Sequence, residues 1–312
     1  MKNQLIVCEG YIPRPLAAVG TYLAAGILLW FLAGPPFSGA MDSPAPDGVV
    51  TANFGLNEQG RPSLGVVFRA EGPVHAADRG ELVFHRGQED RSSRLPSPLG
   101  AWAAYDHGDG ILGIYSRFED APAFSPAPAP RNPRPERGET LAASGVSGWS
   151  EQTGFSFALY DRRERRWVNP SLIIAPFPDD RAPEILSVRL QSSDGTLIPP
   201  GQTRISQGRY GIIVHAVDAL SRASAIRLAP YRLGVSLNGA EAGSLNFETF
   251  SARDGILSIR RNGLSPVSEV YAPYPAFKVG EAWFTRGQTT LELIARDASG
   301  NEASFIMRLE VD

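Results

Sequence analysis

A single cysteine, Cys8, rules out an internal disulfide, so stability has to come from packing. Charge of either sign is not in excess. Lys and Arg total 30 against 33 Asp and Glu, and the net charge of -3 gives no reason to expect nucleic acid or another polyanion as partner. Histidine is scarce: the four residues His75, His85, His107 and His215 show no metal-ligand spacing with one another. Sustained 3.6-residue periodicity is missing from residues 48–176, which excludes a helical domain there. What the chain has in quantity is turn formers. Its 32 glycines and 26 prolines suit many short strands joined by turns.

The one long uncharged run lies at the N-terminus, over residues 16–33. Lys2 and Arg14 precede it, and Gly34-Pro35-Pro36 breaks any helix after it. Ser38-Gly39-Ala40 offers small residues where a signal peptidase reads. Two readings stand for residues 1–40: a cleaved signal peptide, or an uncleaved hydrophobic helix just long enough to cross a bilayer. Either one exports the rest of the chain, to the periplasm or the outer face of the cytoplasmic membrane. Cys8 precedes the apolar run, so it is not placed like a lipoprotein cysteine.

Residues 48–176 read as a first, all-β domain. Short apolar runs at 49–54, 64–68, 81–84, 102–105 and 111–115 are each bounded by Gly, Pro, Asp or Asn. Asp106-His107-Gly108-Asp109-Gly110, between two such runs, is a hairpin-turn signal. Residues 88–99 form a polar inserted loop, and 120–137, with six prolines, an extended surface arm.

Several stretches of this domain resemble the lysostaphin-like (LytM-type) zinc endopeptidases that cut peptidoglycan. Gly72-Pro73-Val74-His75-Ala76-Ala77, continued to Val83, is similar to that family's strand-turn-strand. Phe54-Gly55 resembles the dipeptide before its first metal ligand. Glu136 to Gly148 is similar to its glycine-bounded stretch, and Val168-Asn169-Pro170 to its closing tripeptide. The resemblance implies a duplicated hybrid-motif β fold. It also implies where metal chemistry would sit. A catalytic zinc needs three protein ligands and an open position for water. The family draws them from a His-x-x-x-Asp pair and from the second histidine of a His-x-His strand.

Those positions align here with Ser63, Val67 and Ser156. The family's supporting histidines align with Arg117 and Gly154. A serine and a valine cannot replace an imidazole and a carboxylate at a divalent ion. A positive charge at Arg117 opposes a cation. The resemblance therefore carries an expected absence of metal, cofactor and catalytic residue. Tyr115, Phe155 and Arg117 are the expected contacts of a remnant groove. A serine hydrolase built on Ser63 or Ser156 lacks an aligned base. Arg162, Arg163, Arg165 and Arg166 around Glu164 read as a hairpin tip, either a solvated turn or a contact for anionic envelope polymer.

Residues 180–312, after a short Pro- and Asp-containing linker, read as a second β domain. Apolar and polar residues alternate at 184–190, 210–218, 231–237 and 290–297. Asp297-Ala298-Ser299-Gly300-Asn301-Glu302 resembles the closing hairpin of bacterial Ig-like envelope domains, which implies an Ig-like β-sandwich. Tyr271, Tyr274, Phe277, Trp283 and Phe284 make an aromatic stretch, read as core packing or as a binding surface.

The expected whole is an exported all-β protein. A degenerate lysostaphin-like domain would bind peptidoglycan or regulate a cell-wall hydrolase. Two other readings stand: an active zinc endopeptidase with an unrecognised ligand set, and a structural envelope scaffold.

Overall fold

The computed structural model describes residues 41–58, 60–87, 97–119, 133–148, 152–198 and 201–312. Cys8, the apolar run 16–33, most of the loop 88–99 and most of the arm 120–137 lie outside the described residues. No helix among the described residues is long and apolar enough to cross a membrane.

The fold is all-β. Its first half holds β1 (Val49–Ala52), β2 (Asn57–Glu58), β3 (Arg61–Pro62), β4 (Val66–Arg69), β5 (Pro73–His75), β6 (Glu81–Arg86), β7 (Ala101–Asp106), β8 (Ile111–Phe118), β9 (Thr140–Ala143), β10 (Phe155–Asp161) and β11 (Arg166–Val168). The second half holds β12 (Glu184–Ser192), β13 (Arg204–Ile205), β14 (Gly208–Val217), β15 (Arg232–Leu237), β16 (Ala240–Arg253), β17 (Ile256–Arg261), β18 (Leu264–Pro266), β19 (Ala276–Phe284), β20 (Gly287–Arg296) and β21 (Glu302–Val311). Helix is confined, among the described residues, to single turns at Pro170–Leu172 and Val267–Val270.

Period-2 alternation explains the strands. On β10, Phe155, Phe157 and Leu159 are fully buried, while Ser156, Ala158 and Tyr160 take the other face. On β20, Leu291, Leu293 and Ala295 point inward and Glu292 and Ile294 outward. Turn chemistry closes the hairpins. Between β7 and β8, Asp106 Oδ1 accepts the Gly108 N–H at 2.9 Å, and Gly108, Asp109 and Gly110 all have positive φ. Between β20 and β21, both carboxylate oxygens of Asp297 accept from Asn301, at 2.8 Å each.

Two cores result. One gathers Val66, Phe68, Tyr115, Phe118, Phe155 and Phe157. The other lies between the three-stranded sheet β12-β14-β19 and the large sheet: Ile212, Val214 and Val279 meet Leu233, Phe247 and Leu293. The large sheet runs through both halves in the order β13-β21-β20-β15-β16-β11-β10-β8-β7-β6. The join is β11 on β16, with Trp167 opposite Phe250. Asn169 locks it: its Nδ2 donates to Phe247 O at 2.8 Å and its Oδ1 accepts from Ser171 N at 3.0 Å. Residues 41–312 therefore form one compact unit.

The aromatic stretch divides between core and surface. Tyr271, Phe277 and Phe284 are buried in the second core, whereas Tyr274 and Trp283 are exposed.

Candidate functional site

Strands β4, β10 and β8 lie side by side. Val67 pairs with Ser156, and Ser156 pairs with Ser116. Directly opposed residues share a face. These three therefore form a row across three strands, and Trp102 on β7, opposite Ser116, extends it. The next row is Ala158, Ile114, Ala104 and Phe84. The rings of Phe84 and Trp102 lie 4.6 Å apart, so this face ends in an apolar edge.

A bulge sets Arg117. Trp102 pairs with Ser116, but Ala101 pairs with Phe118, leaving Arg117 as the extra residue. Tyr115 and Phe118 are both fully buried in the first core, although three positions apart on a strand would ordinarily face opposite ways. The bulge absorbs that mismatch and leaves both Ser116 and Arg117 to the other side. Its cost is visible at Arg117, whose φ is +68°. Two hydrogen bonds hold it: Arg117 N–H donates to Leu99 O at 2.9 Å, and Arg117 O accepts from Gly145 N at 3.0 Å. Burial draws the Arg117 pKa below its ordinary value, and the charge of Glu58 works the other way.

Glu58 belongs to the β2–β3 hairpin, which the second half of the chain holds in place. Asn57 Nδ2 donates to Ala272 O at 2.6 Å, and Tyr271 Oη donates to Gly55 O at 2.8 Å. Phe54 enters the second core.

The other sequence-selected residues fall as follows. Ser63 precedes β4, and its hydroxyl donates to Gly65 O at 3.2 Å. No hydrogen bond joins it to Ser156 among the described residues. Gly154 meets β4 edge-on: a Cβ there would lie 2.0 Å from Phe68 O. Tyr115 and Phe155, expected in the groove, face away from it. Phe155 stacks on Phe68 at 4.9 Å, and the Tyr115 hydroxyl accepts the Ala77 N–H at 2.9 Å. Alternation from Ser116 and Ser156 puts both in the core.

This donor set does not fit zinc. The row supplies two hydroxyls, an isopropyl group and a guanidinium, with no imidazole or carboxylate. Among the described residues no histidine belongs to a group that could hold a metal ion. His75 Nδ1 bonds Gly138 O at 3.0 Å. His107 lies between Arg79 O, 2.9 Å from Nδ1, and the Tyr115 hydroxyl, 3.3 Å from Nε2. Burial lowers its pKa. The hydrogen-bonding role of His107 is structural.

The arginine tip is mostly neutralised internally. Arg162 pairs with Asp106, Arg163 with Asp109 at 3.3 Å, and Arg166 with Asp161 at 3.4 Å.

One juxtaposition escaped sequence reading. Asp179, Asp218 and Asp297 bring carboxylate oxygens within 4.8 Å of one another, from a linker, the end of β14 and the end of β20. Burial, then Asp179 and Asp297, push the Asp218 carboxyl up to about 7. No local motif signals a cluster assembled from three distant segments.

Among curated proteins, none matches the chain. One protein-family model matches residues 182–312. Similar solved structures include the catalytic domain of a prophage-encoded M23 protein, EnpA, from Enterococcus faecalis. It is 19% identical over 38% of this chain and 83% of that one, with a TM-score of 0.30. The catalytic domain of lysostaphin from Staphylococcus simulans is 19% identical over 37% and 79%, with a TM-score of 0.28. A zinc containing peptidase from Vibrio cholerae is 17% identical over 44% of this chain, with a TM-score of 0.34, and the match spans 40% of its length.

Proposed function

We propose that residues 48–176 form a lysostaphin-like domain that has exchanged metal chemistry for binding, followed by an Ig-like domain over 180–312. The observation that carries this is the row Val67-Ser156-Ser116 with Arg117 beside it. At the positions where the resemblance calls for three zinc ligands, the chain has no group able to hold the ion.

The function that follows is a non-catalytic module of the cell envelope. The groove on β4, β10, β8 and β7 holds peptidoglycan peptides without cleaving them. Residues 1–40 export the chain, either cleaved as a signal or kept as an anchor. The second domain fixes the β2–β3 hairpin beside the groove and connects the module to its surroundings.

Two measurements on the 41–312 protein test this. Metal content after exposure to zinc is expected to be substoichiometric, and purified murein sacculi are expected to sediment the protein without losing cross-links. One tightly held zinc with murein cleavage would establish the peptidase reading. Absence from the murein pellet would leave regulation of a cell-wall hydrolase and the scaffold reading, which binding to a hydrolase separates.

A further inference from the structure

We propose that Arg117 is the anchor of a carboxylate-binding point in this groove, so that the site selects a peptide by its free carboxyl groups. The inference rests on the groove reading above and gives it a chemistry. It starts from how the residue is held. A non-glycine residue at φ +68° is strained, and such conformations persist where the surroundings over-determine them. Here Leu99 O, Gly145 N and the buried Tyr115 and Phe118 do so.

The second observation is the guanidinium itself. It is half-buried, yet among the described residues it forms neither an ion pair nor a hydrogen bond. Glu58 acts on it only at longer range. The arginines of the β10–β11 tip contrast with it, since three of the four have acidic partners. A half-buried, unpaired charge is costly, and an anionic ligand relieves that cost.

The surroundings supply the rest. Half-buried Ser156 places a hydroxyl in the adjoining row, whereas Ser116 beside it is buried. Arginine presents parallel N–H donors that match the two oxygens of a carboxylate. Trp102 and Phe84 border the row and offer apolar surface to the body of the ligand. A site with one cation, a hydroxyl donor and an apolar border fits a carboxylate-bearing peptide.

The experiment uses soluble muropeptides in two forms, with carboxyl groups intact and with them converted to amides. Binding to the 41–312 protein is followed by titration calorimetry. The intact form is expected to bind about tenfold or more tightly than the amidated form, since charge-assisted hydrogen bonds are lost. Arg117→Gln should bring the intact form down to the amidated level. Arg117→Lys, which keeps the charge without the fork, should fall between. Equal binding of both forms overturns the carboxylate point and leaves the groove reading standing. Selective binding that survives Arg117→Gln also overturns it, because another cation is then responsible. Binding of neither form, together with absence from the murein pellet, removes both. Should Arg117→Gln fail to fold, the comparison of the two forms on the unaltered protein still decides.

Discussion

Gly154 and Phe68 meet so closely that no side chain fits between them: a Cβ on Gly154 would lie 2.0 Å from the Phe68 carbonyl oxygen. The resemblance places a histidine at 154. This backbone therefore has no room for a histidine at 154. On its other side Gly154 exchanges two hydrogen bonds, at 3.0 and 3.1 Å, with Gly145, just after β9, so the backbone is held there from both sides. Gly154→Ala should cost about 1–3 kcal/mol through overpacking against a rigid carbonyl. Gly234→Ala on β15 is the control, since nothing lies within 4 Å of its Cβ position. Urea midpoints should drop for the first and stay unchanged for the second. Equal midpoints would remove the steric argument.

Rebuilding the ligands tests the alignment directly. Ser63→His, Val67→Asp and Ser156→His together supply three zinc-binding groups, and Arg117→His removes the opposing charge. Val67 and Ser156 are cross-strand partners, so their new side chains would share a face. The fourfold variant, with Gly154 untouched, should take up one zinc per chain, read by metal analysis. No uptake by a folded variant would show that these positions do not frame the family's site.

Much of this was legible in the sequence, and the gaps have physical causes. The runs at 49–54, 81–84, 102–105 and 111–115 became β1, β6, β7 and β8, because alternation and turn residues act locally. The row Val67-Ser156-Ser116 was half legible: the motif gave Val67 and Ser156, but the register that adds Ser116 and Trp102 is a pairing property. Tyr115 and Phe155 lie in the core because alternation from Ser116 and Ser156 turns them there. The bulge at Arg117 leaves no composition signal, since a glycine would be the usual mark of positive φ. The 14-residue β16, which joins the two halves through β11, was also missed. Its polar residues sit at the hairpin end and on the outer face.

His107 gives a pH-dependent prediction. Burial lowers its pKa below the ordinary 6.5, so the charged form is favoured when the chain unfolds. Its contribution to stability is complete above 6.5 and erodes as pH falls through that value. The Tyr115 hydroxyl, near Nε2 and already accepting Ala77 N–H, ties this to the core. The melting temperature of the 41–312 protein should therefore fall on acidification by more than that of His107→Gln. Parallel profiles for the two proteins would show that His107 is not the titrating group.

The aspartate cluster predicts a dependence of opposite sign. Asp218 is 5% exposed, and its carboxyl is raised from 3.8 to about 7 by burial, then by Asp179 and Asp297. A raised carboxyl favours the protonated folded state, so its contribution is complete below 3.8 and is lost as pH rises through about 7. Asp218→Asn removes the charge while its side-chain oxygen can still accept the Ala219 N–H that Oδ1 holds at 2.8 Å. At pH 8 the variant should be more stable than the parent. The ceiling is roughly 4 kcal/mol, from a shift of about three units at 1.36 kcal/mol each. At pH 4 the difference should close to within a few tenths. Urea denaturation at both values reads the gap. A variant less stable than the parent at pH 8 would mean that the ionised carboxylate is itself stabilising, through a partner that the three aspartates share.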